Sequence, residues 1–194
     1  IYHVQINWQS YARRWDWQTL KKNGGGNLNN TCPHLISVLL PLLGSRVRSV
    51  WADLRNIKDA GDAEDNVNVM LKTESGVTGG FNSTTAHALG SNTYTLLGKY
   101  GSLVCDGKSA KLRYYDPATA KPLEVIDAAA PGRQYLREEL QWIEKTEEVP
   151  PSPVPPIHQN ILEVFTKGAR PVVTPESAAE VVRVIEMAHQ AANE

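Results

Sequence analysis

The middle third of this 194-residue chain constrains its fold more than any other feature, because short alternating segments follow one another there across short turns. Val67, Val69 and Leu71 recur at every second position, the period that is typical of a half-buried β-strand. The turn signal Glu74-Ser75-Gly76 precedes a second run, Val77 to Thr85, and together they predict a hairpin. Strands joined by such short links run mostly antiparallel, because parallel neighbours need a crossover of a dozen or more residues.

Further strands are predicted on either side of this hairpin. They alternate in the same way or lie between turn signals such as Asp106-Gly107 and Asp116-Pro117. The predicted strands cover residues 2–8, 50–54, 93–97, 102–105 and 112–115.

A helix is predicted from between Asn27 and Asn30 to Leu43, with Gly44 as its C-terminal stop. Two stripes run along it at helical spacing. The apolar stripe consists of Leu35, Ile36, Leu39, Leu40 and Leu43, and the polar stripe of Asn30, His34 and Ser37. One face of the helix is therefore predicted to pack on a core, while the polar face is free for another role.

Three more helices are predicted in the last third, at residues 134–145, 157–166 and 175–191. Five prolines between residues 150 and 156 predict an extended stretch before the helix at 157–166. Thr174-Pro175-Glu176 starts the last helix, with a capping hydroxyl and a proline in the first turn. The residues predicted to line its buried side are Ala178, Val181, Val182, Ile185 and Ala188.

These elements predict an α+β fold, an open, mostly antiparallel sheet with helices packed on one face. With 41 % hydrophobic residues, the chain suits a single domain, residues 1–194, with a full core. The opposite sheet face is expected to carry Val104, Leu112 and Tyr114, whose largely apolar side chains are unfavourable in water. A partner subunit or domain is therefore expected to cover that face.

Composition excludes several kinds of partner. Lys and Arg total 20 against 21 Asp and Glu, and the basic residues are scattered, which argues against nucleic acid or an anionic membrane. The longest apolar run, Leu35 to Leu43, is too short for a bilayer, which takes about 20 apolar residues. Cys32 and Cys105 do not make a disulfide framework, so a reduced, cytoplasmic protein is expected.

The segment from Gly24 to Ser37 reads GGGNLNNTCPHLIS. It resembles the motif G-G-G-x-L-x-D-x-G-x-H-x-x-D, which opens the active-site helix of the Gfo/Idh/MocA family of NAD(P)-dependent oxidoreductases. The glycines, Leu28 and His34 match this motif. The departures are Asn30 for aspartate, Cys32 for glycine and Ser37 for aspartate.

Two later segments extend the resemblance in the family's order: Gly98 to Leu103, and Gly168 with Pro171 to Ala178. The resemblance implies that residues 1–194 form the family's C-terminal, substrate-binding and oligomerisation domain, without the N-terminal Rossmann domain. The sequence has no strand–GxGxxG–helix fingerprint. The family's catalytic lysine, in an E-K-P motif, is also missing, since Lys121-Pro122 follows an alanine.

The resemblance implies a function for the domain as half of an oxidoreductase that acts on a sugar, inositol or related polyol. NAD or NADP would be bound mainly by the absent domain, so no cofactor is expected on this chain alone, which should be inert. Hydride transfer from a carbinol needs a base for the hydroxyl proton, and imidazole, with a pKa of about 6.5, suits that task. The resemblance gives this role to His34. Asn30 can hold a substrate hydroxyl but cannot act as a base.

Other residues are candidates for substrate binding. Four of them precede the glycines and suit a polyol cleft, because tryptophan and arginine bind sugar faces and hydroxyls. They are Arg13, Arg14, Trp15 and Trp17. Packing of a long loop against the core would explain them equally well. His158, after the prolines, is a further candidate. A metal site at Cys32 and His34 is rejected, since their spacing places them on different helix faces.

Two other functions stay open at this point. The domain could be a non-catalytic binding or oligomerisation module, which the departures at Asn30 and Ser37 favour. Some members of the resembled family use bound NAD to cleave glycosides by transient oxidation. The resemblance also implies a homodimer or tetramer formed through the open sheet face.

Overall fold

A computed structural model describes residues 1–128, 132, 137–151 and 156–193. Within these residues, eight strands form one sheet in the order β2-β3-β4-β1-β5-β6-β7-β8. The strands are β1 (His3–Gln9), β2 (Val47–Arg55), β3 (Asn66–Thr73), β4 (Thr78–Thr84), β5 (Thr93–Gly98), β6 (Gly101–Cys105), β7 (Ser109–Tyr115) and β8 (Trp142–Glu148).

Neighbouring strands are antiparallel except at one place, where β1 lies parallel to β4. β1 inserts between β4 and β5, which follow each other in the sequence. A parallel pair is allowed there because a long stretch of chain separates β1 from β4. The prediction of a mostly antiparallel sheet in an α+β fold is confirmed.

The helices are α1 (Asn27–Asn30), α2 (Cys32–Leu43), α3 (Ile157–Lys167) and α4 (Pro175–Ala191). The helix predicted before Gly44 is thus divided at Thr31. Its end is as predicted: Gly44 adopts a φ of 64°, and its N–H donates to the carbonyl of Leu40 at 3.3 Å. Among the described residues, no helix combines the length and apolar content needed to cross a bilayer.

The core lies between one sheet face and the helices α2 and α4. Apolar side chains of α2, α4 and the strands β1, β3 and β4 are buried together there. They include Leu35, Ile36, Leu39, Leu43, Val184, Ala188, Val4, Ile6, Val67, Val69, Leu71 and Phe81. The predicted apolar stripe of α2 is therefore the face that packs on the sheet.

The start of α4 is confirmed, but its buried side differs in part from the prediction. Thr174 and Ser177 form a capping box, in which each side chain bonds to the backbone of the other. As predicted, Ala188 is fully buried, and Val181 and Ile185 are half-buried against the core. Ala178 and Val182 are exposed instead, and the fully buried Val184 was not predicted. The helix packs on both α2 and β2.

The helix predicted at residues 134–145 is wrong over its described part. Residues 137–141 have no regular structure, and β8 begins at Trp142; residues 133–136 lie outside the described part. β8 pairs with β7, from Tyr115 with Trp142 to Ser109 with Glu148. This pairing gives the backbone groups along β7 their partners, which a helix could not do. Of the extended stretch predicted at 150–156, residues 152–155 lie outside the described residues, and residues 150, 151 and 156 have no regular secondary structure.

α3 does not share the core. None of its residues is buried, and Phe165 is 84 % exposed. The expectation that every helix packs on one side of the sheet is therefore wrong for α3.

The sheet face opposite α2 is polar at its centre. Carboxamide and hydroxyl side chains bond to one another across neighbouring strands there. Asn7 donates to Thr93 at 2.9 Å, and Asn82 donates to Asn68 at 2.6 Å. We call this surface, with these four residues at its centre, the open face.

The position of Val104 on the open face agrees with the prediction, but that of Leu112 and Tyr114 does not. Leu112 pairs with Leu103, which pairs with Leu96, and Leu96 pairs with the buried Val4. Paired residues point to the same side of a sheet, so Leu112 lies on the helix side, and Tyr114 two residues later lies there too.

Candidate functional site

The glycine-rich segment before α1 is folded tightly on itself. The N–H of Gly25 donates to the carbonyl of Leu20 at 3.1 Å, and the N–H of Gly26 donates to that of Gln18 at 2.9 Å. Gly26 has a φ of +107°, and a Cβ atom at this position would collide with the carboxylate of Glu64. Only glycine combines this backbone conformation with such a close approach.

Two buried acidic residues hold the start of α1 in place. Glu64 accepts the N–H of Asn27 at its backbone carbonyl at 2.9 Å and the N–H of Leu28 at its carboxylate at 3.0 Å. The carbonyl of the neighbouring Asp65 accepts the Asn27 side chain at 3.0 Å. The carbonyl and the carboxylate of Glu64 thus each accept one N–H at the start of α1 that would otherwise be free.

The side chain of Asp65 organises the loop that leads into β3. Its carboxylate accepts the backbone N–H groups of Ile57, Lys58 and Asp59, each at 2.9 Å. The Lys58 ammonium lies 3.9 Å from the Asp65 carboxylate and 2.6 Å from that of Asp59. Asp65 is 2 % exposed, so this charge is both buried and fully bonded.

His34 lies on the exposed side of α2, not in the core. Its ring centroid is 6.2 Å from that of Trp8, with the two planes inclined by 47°. The hydroxyl of Ser37 donates to the backbone carbonyl of His34 at 2.8 Å, so that hydroxyl serves the helix backbone. An imidazole left open to solvent is available to a substrate hydroxyl.

His34 lines a groove of about 230 Å³ between α2 and the sheet. Trp8 and Ile6 of β1 and Tyr94 of β5 form its sheet side, and Val38 lies on its helix side. We refer to this cavity as the His34 groove.

Asn30 lines a different and much smaller cavity. It is half-buried there beside Arg14, Glu64 and Asp59. Although Asn30 and His34 are four residues apart, they do not line one cavity among the described residues. The predicted polar stripe of Asn30, His34 and Ser37 therefore does not open onto a single cavity: His34 is exposed at its groove, whereas Asn30 is half-buried in another cavity. The division at Thr31 separates the two residues into α1 and α2.

The loop before the glycines places its candidate residues differently from one another. The guanidinium of Arg14 donates to the Asp16 carboxylate and to the Gln18 side chain. The backbone N–H of Arg14 donates to the Asp59 carboxylate at 3.0 Å. The backbone N–H of Gln18, together with Arg14, lowers the pKa of Asp16. The hydrogen bonds of Arg14 therefore stabilise this loop.

The two tryptophans of this loop remain free to contact a ligand. Trp15 is 81 % exposed and Trp17 is 61 % exposed, so neither packs against the core. Arg13 is exposed as well. His158 is exposed in the first turn of α3 and lines neither the His34 groove nor the cavity at Asn30.

Cys32 and His34 point to different surroundings. Cys32 is fully buried, and this burial raises the pKa of its thiol, so the sulfur stays protonated. Among the described residues, no three His, Cys, Asp or Glu side chains come together as metal ligands.

A larger polar cavity of about 520 Å³ lies on the other side of Glu64. Asn29 and His189 line it and are joined by a 3.0 Å hydrogen bond. It contains neither His34 nor Asn30.

The glycine-rich segment does not fit a dinucleotide phosphate. Its N–H groups from Gly24 to Leu28 all donate to groups of the chain itself, including the Glu64 carboxylate. A phosphate cradle requires free N–H groups, and a carboxylate at the helix N-terminus would occupy them and repel the phosphate. Any nucleotide phosphate must therefore bind elsewhere.

Comparison with known proteins places the chain in a family. Residues 1–104 match the family described as the GFO/IDH/MocA C-terminal domain. This match covers more than half of the 194 residues, so the chain belongs to that family. No curated protein matches the sequence.

Solved structures share the fold over nearly the whole chain. An NAD-binding protein from Listeria innocua superposes with a TM-score of 0.76 at 23 % identity, over 99 % of this chain and 57 % of its own. The WlbA dehydrogenase from Bordetella pertussis, in complex with NADH and UDP-GlcNAcA, gives 0.66 at 16 % identity, over 99 % and 52 %. GenD2 from gentamicin A biosynthesis, in complex with NAD, gives 0.67 at 23 %, over 100 % and 53 %. The chain thus spans little more than half the length of these proteins.

Proposed function

We propose that this domain is the substrate-binding and catalytic half of an NAD(P)-dependent oxidoreductase that acts on a sugar, inositol or related polyol. The observation that carries the proposal is the exposed His34 in its groove, at the histidine position of the family motif. Membership in the family and the fold shared with NAD-binding proteins support it.

In this proposal His34 moves the proton. Its imidazole takes the proton from the substrate hydroxyl during oxidation and returns one during reduction. The cofactor, NAD or NADP, supplies the hydride acceptor when it is bound by a nucleotide-binding domain. Asn30 is neutral and half-buried, so it orients a hydroxyl or the helix start and exchanges no proton. The exposed Trp15 and Trp17 offer further contact surface beside the glycines.

Steady-state assays of the full-length protein test this proposal. NAD and NADP are each offered with UDP-N-acetylglucosamine, myo-inositol and sorbitol, and reduction of the nicotinamide is followed by absorbance. We expect reduction with at least one sugar or cyclitol. Absence of any reduction of NAD or NADP with the whole panel would count against the proposal.

The 194-residue chain alone is expected to show no useful affinity for NAD or NADP. The reason is that the N–H groups of its glycine-rich segment are all engaged within the chain. Calorimetric titration of the isolated chain with each cofactor measures this directly. Micromolar binding would show that the chain holds a nucleotide site of its own.

One observation favours a second candidate function, a non-catalytic binding or oligomerisation module. Ser37 stands where the family motif has aspartate, and its hydroxyl bonds to the helix backbone instead of reaching a neighbour. A full-length protein that binds a sugar and never reduces a cofactor would favour this module.

Self-association through the open face is also proposed, as a homodimer or tetramer. Polar side chains at the centre of this face already satisfy one another, and Val104, 45 % exposed, and Trp51, 58 % exposed, lie at its flanks. A symmetric contact there should bury at least about 1,000 Å². Light scattering at micromolar concentration is expected to give a multiple of the 21.4 kDa chain mass. A monomer mass would contradict the proposed assembly.

A further inference from the structure

Trp8 has an environment unlike that of the residues before it on β1. Val4 and Ile6 point to the same side of the sheet and are 0 % and 1 % exposed, whereas Trp8 is 40 % exposed. Strand residues two apart share a face, so Trp8 lies on the same face as Val4 and Ile6. Its exposure shows that α2 no longer covers the sheet at this position. A large indole surface is therefore left open beside His34.

The rest of the His34 groove complements this indole. Tyr94 pairs with Ile6 across the sheet and is half-buried, and within the described residues its hydroxyl has no hydrogen-bond partner. Val38 is 44 % exposed on the facing helix. Apolar walls with a few polar groups at fixed positions are typical of small-molecule sites.

We infer that Trp8 is a substrate-contacting residue on which the C–H face of a ring-shaped substrate stacks, with a ring hydroxyl directed at His34. This inference rests on the proposed function and adds a selectivity: closed rings, pyranose or cyclitol, are bound in preference to open-chain polyols. A ring presents a rigid apolar face that matches an indole. An open-chain polyol must lose rotational freedom to present the same surface, which weakens its binding.

The competing role for Trp8 is to hold the His34 ring, which lies 6.2 Å away. The two roles differ in kinetics. Loss of a stacking surface that is used equally in ground and transition states raises KM and leaves kcat unchanged. A misplaced His34 would lower kcat instead, because the proton transfer itself would suffer.

The test compares Trp8→Leu, Trp8→Gln and Trp8→Phe in the full-length protein. Leu and Gln remove the aromatic face, while Phe keeps most of it, and two different truncations guard against one of them folding poorly. Phe165→Leu is the matched control, since it removes an aromatic ring that is 84 % exposed on α3 and lies outside the His34 groove. Melting temperatures of all variants report on folding.

We expect Trp8→Leu and Trp8→Gln to raise KM for myo-inositol or UDP-N-acetylglucosamine about tenfold, with kcat changed less than about threefold. Trp8→Phe and Phe165→Leu should stay within about threefold of the wild type. Sorbitol, tested in parallel, should be affected less than about threefold. An unchanged KM, or a loss in kcat at constant KM, would overturn the stacking role.

Failure of the proposed function can be told apart from failure of this inference. If the wild type reduces no cofactor, the proposed function fails. Binding is then measured by NMR as saturation transfer from the protein to the ring protons of myo-inositol and UDP-N-acetylglucosamine. Transfer that is lost in Trp8→Leu and kept in Trp8→Phe supports the stacking role. Equal transfer in all variants, or no transfer to either ring in the wild type, overturns it.

Discussion

Replacing His34 by asparagine in the full-length protein is expected to lower kcat by roughly 10²–10⁴-fold, with KM changed far less. Asparagine keeps a polar side chain of similar reach but cannot accept the substrate proton. Because His34 is exposed and outside the core, the substitution should leave the melting temperature nearly unchanged. The measurement is steady-state reduction of the nicotinamide under saturating substrate.

His87→Asn is the matched control for this substitution. His87 is also exposed, and it lines neither the His34 groove nor the cavity at Asn30. Its replacement should leave kcat within about twofold of the wild type. A His34→Asn protein with wild-type kcat would remove His34 from the proton-transfer role and transfer the acid–base work to another group.

Replacing Asp65 by alanine is expected to lower the free energy of unfolding by about 3–5 kcal/mol. The change leaves three backbone N–H groups without their acceptor and the Lys58 ammonium with one carboxylate fewer. Asp65→Asn retains one acceptor oxygen and should fall between alanine and the wild type. Urea denaturation of the 194-residue chain, followed by circular dichroism, gives the midpoints.

Asp62→Ala serves as the comparison for Asp65. Asp62 is exposed, and its carboxylate accepts a single backbone N–H, that of Lys21, at 2.8 Å. Its loss should cost less than about 1 kcal/mol. Equal midpoints for Asp62→Ala and Asp65→Ala would show that the buried carboxylate does not organise the loop.

The strands were predictable from the sequence because alternation and turn residues are local signals. Val67, Val69 and Leu71 lie on β3 as predicted, and they face the core. β8 was not predictable, because its residues are exposed and become a strand only by pairing with β7. The face of Leu112 likewise depends on its register with Leu103, which no local pattern specifies.

The candidate site was predictable to a smaller extent. His34 was identified as a candidate through its motif, and in the structure it is exposed beside a groove. Trp8 was assigned to an alternating strand face, since nothing in the sequence tells that α2 stops covering the strand there. Glu64 and Asp65 carry no motif signal, because their partners are backbone N–H groups supplied by the tertiary fold.

Deuterium transfer in the full-length protein tests the central claim most directly. The substrate is a sugar or cyclitol that carries deuterium at its carbinol carbons, and the cofactor is analysed by mass spectrometry after a single turnover. We predict one deuterium in the reduced nicotinamide for the wild type and at least about a hundredfold slower transfer for His34→Asn. A cofactor that acquires no deuterium from any such substrate, or transfer at equal rates in both proteins, would contradict this claim.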